Sequence, residues 1–531
     1  YDLMAGYFIA NYLIDVFGDD FGEYLNREDV LTALYAEDFQ ERHPLHEDIS
    51  RCLAALLPEK RGEYLHDLLK SGKSFLDRML DTFQHATKQV ADFFEGFSWA
   101  NRFEGAFRSV ESAVSRRTGD QREELLLSDS VEALFEIDPA YISPDAVDFV
   151  TRLFDHPENR SALFNRFEST WLFSNHPLGA DFIHERLQDL EMAERDLAWS
   201  EHIRMRRSDA EEVINSLKKD CLSCETFSER EETRLSLMAL RTMWTLTTTI
   251  RPLRDRATEA LYWYGRRFPE DFFKLVKRSF RIDDPYVRER MIAAAYGVGM
   301  ARQYDFESDT FVNEHLPYWS RFLYKSMFSP NAACRTAHVL MRDYARHLID
   351  MANLHHPALF SNDELEVARP PYEGGDIAEW GEADKPKSTV SRVGPILMDF
   401  RNYTLGQLVP DRRNYDDEHE EYKKLIAKTY WRIYDLGWSM DRFGEIDRRI
   451  QRMQSRSRHN QAGKTDRYGK KYSWIAFFEL YGHRRDHDAL DEWEERLADV
   501  DIDPSFPEPP PPLQLIDEDW LGAPDTKTKE W

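Results

Sequence analysis

Pro252-Leu253-Arg254-Asp255-Arg256-Ala257-Thr258-Glu259-Ala260-Leu261-Tyr262-Trp263-Tyr264 and Pro285-Tyr286-Val287-Arg288-Glu289-Arg290-Met291-Ile292-Ala293-Ala294-Ala295-Tyr296-Gly297-Val298 decide the fold class. In the first stretch Ala257, Ala260, Leu261 and Tyr264 fall at i, i+3, i+4 and i+7, which is one face of an α-helix. In the second, Met291, Ala294, Ala295 and Val298 repeat that spacing 34 residues on. Ala337, Leu340, Met341 and Tyr344 repeat it again 46 residues later. Pro252, Pro285 and Pro330 each precede one of these helices, where a missing N–H costs least. Leu253-Arg254-Asp255-Arg256 has the same pattern as Val287-Arg288-Glu289-Arg290. The third unit has Thr336 where a second arginine would match, so the repeat is degenerate. Each unit also has a second helix. Phe272, Leu275 and Val276 follow Pro269, and Phe311, Trp319, Phe322 and Leu323 form the next.

Helix pairs at this spacing look like HEAT-type repeats, which stack because one pair cannot bury its own face. The fold class is therefore all-α: degenerate HEAT-like helical repeats (an α-solenoid), clearest over residues 244–350, with a helical N-terminal segment and a proline-rich acidic tail. Five regions follow. Residues 1–138 are helical, with breaks expected near His43-Pro44 and at Pro58, and residues 75–114 read as long Phe-rich helices. Residues 139–367 carry the repeats. Residues 368–395, with Pro370, Pro371, Gly374, Gly375, Gly381 and Pro386, read as a long loop. Residues 396–500 are helical again and hold a basic island of Arg448, Arg449, Arg452, Arg456, Arg458, Lys464, Arg467, Lys470 and Lys471. Residues 501–531 form the tail, with prolines at 504, 507 and 509–512.

A chain of 531 residues is too long for one core. Its net charge of −27 repels phosphate backbones and anionic membranes, so nucleic acid is not expected as a partner. Four cysteines are too few for a disulfide scaffold and suit a reducing cytoplasm. No run of about 18 uncharged apolar residues crosses a membrane. The first helix carries Leu3, Met4, Tyr7, Phe8, Ile9, Leu13 and Ile14 nearly all round. Such a helix predicts burial against a neighbour upstream, in a longer chain.

Motifs that carry chemistry are incomplete. Gly72-Lys73-Ser74 ends like a phosphate-binding loop, but Asp67 stands where the first glycine belongs, so Lys73 is not expected to bind ATP. Cys221-Leu222-Ser223-Cys224 is a single C-x-x-C, and structural zinc needs four ligands. His483 and His487 share a face with Glu479, but Arg484 occupies the place of a metalloprotease glutamate. His355-His356 before Pro357 reads as a helix end. No carboxylate pair or nucleophile elbow stands out. No catalytic, cofactor or metal residue is assigned, and the chain is expected to bind rather than catalyse. The candidate partner-binding residues are Trp380, an aromatic in the long loop, and Arg467, Lys470 and Lys471 of the basic island, for which docking on the chain's own acidic surface is the favoured reading.

Several segments nevertheless resemble one family. Tyr1-Asp2-Leu3-Met4-Ala5-Gly6-Tyr7, His43-Pro44-Leu45-His46-Glu47-Asp48-Ile49 and Leu56-Leu57-Pro58 are similar to the stretch after the ATPase module of large bacterial STAND NTPases. His176-Pro177-Leu178, Ala193-Glu194-Arg195-Asp196-Leu197-Ala198-Trp199, Gly469-Lys470-Lys471-Tyr472-Ser473-Trp474-Ile475-Ala476 and Asp501-Ile502-Asp503-Pro504-Ser505 resemble later signatures. The resemblance implies a C-terminal sensor region of the NACHT-like, antiviral class. A phage protein would be the ligand, an ATPase module with ATP and Mg would lie upstream of residue 1, and that module would oligomerise. Two rivals stand beside it: a free-standing helical scaffold, and a helical-repeat nucleic-acid binder or modifying enzyme using the basic island.

Overall fold

Prolines start the central helices where the sequence places two of them. Arg251–Arg267 and Pro285–Arg302 each hold their proline in the first turn. Asp284 caps the second, its carboxylate accepting from Tyr286 N at 3.0 Å. These helices belong to a computed structural model that describes residues 2–36, 40–63, 65–68, 134–135, 138–223, 226–304, 310–372, 380–385, 394–397, 399–410, 412, 415–456, 465–487 and 489–490. The described residues are helices and connecting turns; the only β pairing among them is an isolated antiparallel bridge between Ile250 and Thr465. No helix of the described residues is long and apolar enough to cross a membrane. The chain divides into two compact units, Tyr1–Ala210 with Glu225–Arg241, and Glu211–Cys224 with Thr242–Trp531, and the division falls inside the 139–367 block.

In the second unit Arg251–Arg267 packs on Pro285–Arg302, which packs on Val339–His355. Pro269–Ser279 lies against the first two, and Leu316–Leu323 against the third. The predicted core positions Ala257, Ala260, Met291, Ala294, Ala337 and Leu340 are buried. Small residues on the facing stripes bring the axes close. A Cβ on Gly265 would stand 2.7 Å from Val298 Cγ2, so the approach there requires glycine. Burying a Leu, Ile or Met contributes about 1.5–3 kcal/mol each, and these helices bury them in rows.

The third helix corrects the register read from the sequence. It starts at Val339, nine residues after Pro330, because residues 331–338 run as turns and extended chain. Measured from the helix starts, Ala257, Ala260, Leu261 and Tyr264 correspond to Met291, Ala294, Ala295 and Val298 and then to Ala345, Leu348, Ile349 and Ala352. All twelve are buried. Ala337 and Leu340 are buried too, so the periodicity alone did not separate the two registers. The described residues of the 368–395 segment form no helix. Beyond it come Glu420–Asp435, Met440–Arg456 and Tyr468–Asp486.

In the first unit Asp2–Phe17 packs along His46–Arg61, with Gly6 seated on Asp48. Pro58 does not break the second helix as expected; it lies in the last turn, and Gly62, at φ +66°, ends the helix after it. Within this chain the first helix is covered on one side. Ala10 and Ile14 face the core, while Met4, Tyr7, Phe8, Tyr12 and Val16 are exposed. Pro144–Asp155, capped by Ser143, is followed by Pro157–Thr170 and Ala180–Asp189. A π turn, Asp196–Ser200, then joins Met192–Arg195 to Glu201–Met205.

Candidate functional site

The strongest concentration of charge and aromatic chemistry in the second unit follows the Tyr468–Asp486 helix, which crosses the starts of all three stacked helices. Thr465 bridges Ile250, and Asp466 N donates to Thr249 O at 2.9 Å, just before Arg251–Arg267. Lys471 reaches Asp284 at the start of Pro285–Arg302. Phe478 lies against the His338 ring before Val339–His355, with centroids 5.2 Å apart. Gly482 touches the same joint: a Cβ there would come within 1.8 Å of Ala337 O. At about 1.5 Å per residue this helix spans roughly 28 Å, enough to cross three helices spaced 8–10 Å apart.

The four candidate partner-binding residues all lie on or against this helix, but two of them serve its inside. Lys471 is fully buried, its Nζ 2.6 Å from Asp284 Oδ2 and donating to Thr247 O at 3.1 Å. Arg467 is buried and donates to Gly394 O at 2.7 Å; burial lowers its pKa. Neither is available to a partner. Lys470, half-exposed, pairs with Asp466 at 2.7 Å. Trp380 is half-buried, edge-on to Trp431 at 6.1 Å and 5.8 Å from His483. Arg448 pairs with Glu445, while Arg458 and Lys464 lie outside the described residues.

Sequence reading missed two devices here. The first is Asp447. Arg467 makes no side-chain cap for the crossing helix. Instead Asp447, on Met440–Arg456, accepts from Tyr468 N at 2.6 Å, Gly469 N at 2.9 Å and Trp438 Nε1 at 3.3 Å. It satisfies the orphan N–H groups from a neighbouring helix. Burial raises its carboxyl above the ordinary range, against these hydrogen bonds that would lower it. No sequence signal marks a cap 21 residues away.

The second device is a repeated triplet, Leu253-Arg254-Asp255, Val287-Arg288-Glu289 and Met341-Arg342-Asp343, and its arginine is the fourth residue of each helix. Each arginine folds back to a carbonyl six residues earlier: Arg254 to Thr248 O, Arg288 to Ile282 O and Arg342 to Thr336 O. Two of the acids, Asp255 and Asp343, then link helix to helix, while Glu289 lies near a neutral His338 without bonding to it. Asp255 pairs with Arg290 at 3.1 Å, and Glu289 stands 3.6 Å from His338. Asp343 ends the series on Arg485 of the crossing helix, and Arg342 pairs with Asp486. A triplet search in the register of the helix starts would have found this series.

Other motifs resolve into internal contacts. Glu479 holds Arg432 through two bonds of 2.7 and 2.9 Å. His487 Nδ1 lies 2.7 Å from the His483 carbonyl. His355 ends its helix, and His356 meets Val312 O at 2.9 Å. Cys221 is buried, which pushes its thiol up to about 12 with help from Asp220. Cys224 and the segment holding Lys73 lie outside the described residues. Among the described residues no group of three or more His, Cys, Asp and Glu is placed to hold a metal.

The first unit has its own buried charge centre. Arg241 grips Glu168 through Nη2 at 2.7 Å and Nε at 3.3 Å. Its guanidinium lies 4.7 Å from the Trp199 ring centre and 5.6 Å from that of Trp171. His202 Nε2, 3.1 Å from Glu168 Oε1, donates, because a carboxylate only accepts. Burial alone would raise the Glu168 carboxyl, yet Arg241 and His202 hold it down at about 2. The partners named here are side chains of the same unit, so the arrangement joins its helices. No protein-family model, no characterised protein and no solved structure matches the chain.

Proposed function

We propose that this chain is the sensing and regulatory region of a bacterial STAND NTPase of the antiviral class, built as a HEAT-like helical stack that recognises a foreign protein. It acts in the cytoplasm by binding and not by catalysis, and biases an upstream ATPase module toward assembly. The observation that carries the reading is the Arg-acid series closed by the Tyr468–Asp486 helix. It repeats at three helix starts, as stacked repeat units require, and commits these charged groups to holding helices together. What remains for function is helix surface, which suits a macromolecular ligand. Two segments that carry the family resemblance fall on internal joints: Lys471 in one, and in the other Arg195, which donates to Leu187 O and Leu190 O. They therefore support a shared framework and leave the ligand to other surfaces.

The energetics set the size of the trigger. Moving a switch from 1:99 to 99:1 takes about 5.5 kcal/mol of preference for the active state. Exposed ion pairs contribute about 0–1 kcal/mol each, so the ligand needs an interface of roughly 1,000 Å² with aromatic or arginine anchors. The test is co-expression of the full-length protein with individual phage proteins, scored by triggering and co-purification. Removal of residues 1–531 abolishes both and leaves nucleotide binding by the ATPase intact. A truncated protein that still answers the same trigger overturns the proposal.

A further inference from the structure

The first helix, Asp2–Phe17, turns its side chains in two directions. Gly6, Ala10 and Ile14 enter the core against His46–Arg61. On the other side Met4, Phe8, Tyr12 and Val16 follow one another at i+4, with Tyr7 beside Phe8, ring centres 5.8 Å apart. Met4, Phe8 and Tyr12 are 55%, 62% and 64% exposed, although they stand among the largest apolar groups of the unit. Five half-exposed side chains of this size offer on the order of 500 Å² of apolar surface, the range in which a patch on a single chain marks an interface.

Electrostatics decides what covers it. Residues 1–68 carry fifteen Asp and Glu against five Lys and Arg, a net of −10. Four of the five cations are spent locally: Lys60 on Asp15, Arg61 on Asp19 and Glu63, Arg27 on Asp29, and Arg42 on the Ala36 carbonyl. Asp20, Glu23 and Glu59 face solvent. A second copy would bring another −10 against the first, and an acidic or anionic surface is repelled for the same reason. The i+4 ridge of large side chains presents the grooves that a helix fills, crossing at about −50°.

We propose that the exposed face of Asp2–Phe17 is a docking site for a basic amphipathic helix of a partner protein. The test does not use the sensor reading, but a segment of the same protein upstream of residue 1 is a rival occupant: a longer chain that covers Met4, Phe8 and Tyr12 and no longer takes up the peptide overturns the proposal. The probe is a synthetic 16-residue helix of leucine and lysine with an apolar stripe at helical spacing, titrated into the full chain and followed by fluorescence anisotropy. Two controls accompany it: a scrambled peptide of the same composition, and sedimentation of the chain alone. The amphipathic peptide is expected to bind at least tenfold more tightly than the scrambled one. Phe8→Ser weakens it tenfold or more, and Tyr12→Lys weakens it further by adding like charge. Both positions are exposed, so circular dichroism of the variants stays that of the parent. Equal binding of the two peptides, which means attraction by charge alone, overturns the proposal. So does an absence of binding, and so does self-association of the chain that Phe8→Ser abolishes, which makes a second copy the occupant.

Discussion

Replacing Lys471 with methionine removes a cation from the one joint where it has no access to water. Lys471 and Asp284 are both fully buried and 2.6 Å apart, and the lysine also satisfies Thr247 O. Breaking a buried pair from one side costs about 3–5 kcal/mol, because the remaining charge is left without its partner. Asp284 keeps one bond, from Tyr286 N, which offsets only part of that loss. Replacing both partners by neutral groups of similar volume is far cheaper, so Lys471→Met with Asp284→Asn should recover most of the loss. Asparagine still caps Tyr286 N through its carbonyl oxygen. A chain of two units does not unfold in one step, so the assay must be local. Hydrogen exchange of peptides covering 465–487 and 281–302 reads the opening of this joint. At 1.36 kcal/mol per factor of ten, Lys471→Met should speed exchange there about 10²–10³-fold. The double variant should lie within about tenfold of the parent, while peptides of the first unit stay unchanged. If Lys471→Met shifts exchange less than threefold, the pair behaves as an exposed one and the closing role of the helix is wrong.

Three further outcomes follow from the same contacts. Gly482→Ala should cost several kcal/mol of local stability by exchange or proteolysis, because its Cβ meets the Ala337 carbonyl at 1.8 Å. Gly444→Ala meets only the movable Met440 thioether and should be nearly neutral, helped by the roughly 1 kcal/mol helix preference of alanine; equal effects would show that the Gly482 approach is not tight. His338 faces Glu289 and Arg288 from one helix, Phe478 from the crossing helix and Arg342 from its own. Burial, then Arg342 and Arg288, push its pKa down to about 3. Its folded value is below the unfolded one of about 6.5, so this contribution is whole above pH 6.5 and is lost as pH falls from there toward 3, roughly 2 kcal/mol by pH 5. His338→Leu should flatten that pH dependence in exchange of residues 336–345; an unchanged slope assigns it elsewhere. In the first unit, Glu168→Gln leaves Arg241 buried without its counter-charge. It should cost about 3 kcal/mol at pH 7 and much less near pH 2, where the parent carboxylate is itself half protonated. A pH-independent cost would remove the charge from the explanation.

The helices themselves were legible because periodicity and proline placement are local signals. The rows of Ala257, Ala260 and Leu261 and of Met291, Ala294 and Ala295 are buried as their spacing required. The third row was placed eight residues early, because Pro330 offered a start signal and Ala337, Leu340, Met341 and Tyr344 fit the same period. The site was legible only as composition. Arg467, Lys470 and Lys471 read as a basic island because a sequence shows neighbours along the chain and not across it. Asp284, which neutralises Lys471, is 187 residues away. Asp447 looked like one carboxylate among many until its position beside Tyr468 N and Gly469 N gave it a role. For the first helix the pattern marked apolar side chains nearly all round but not which of them this chain covers: Ala10 and Ile14 are buried, Met4 and Phe8 are not.

Where the cations go also constrains what the surface can recognise. The chain has 70 Lys and Arg against 97 Asp and Glu. Arg160, Arg195, Arg254, Arg288, Arg342 and Arg467 donate to backbone carbonyls, and Arg241, Arg432 and Lys471 neutralise carboxylates within their own unit. Arg342 and Arg160 reach Asp486 and Glu194 as well, so they join backbone and acid in one contact. The net charge of the whole chain is −27. A phosphate backbone meets repulsion at long range, with Arg467 and Lys471 unable to answer it. Under the proposed function, a protein ligand that brings lysines and arginines gains in approach rate, but rim pairs at about 0–1 kcal/mol each cannot supply the roughly 5.5 kcal/mol that such a switch needs. The decisive contacts must then be apolar or stacked, on side chains that the packing leaves outside.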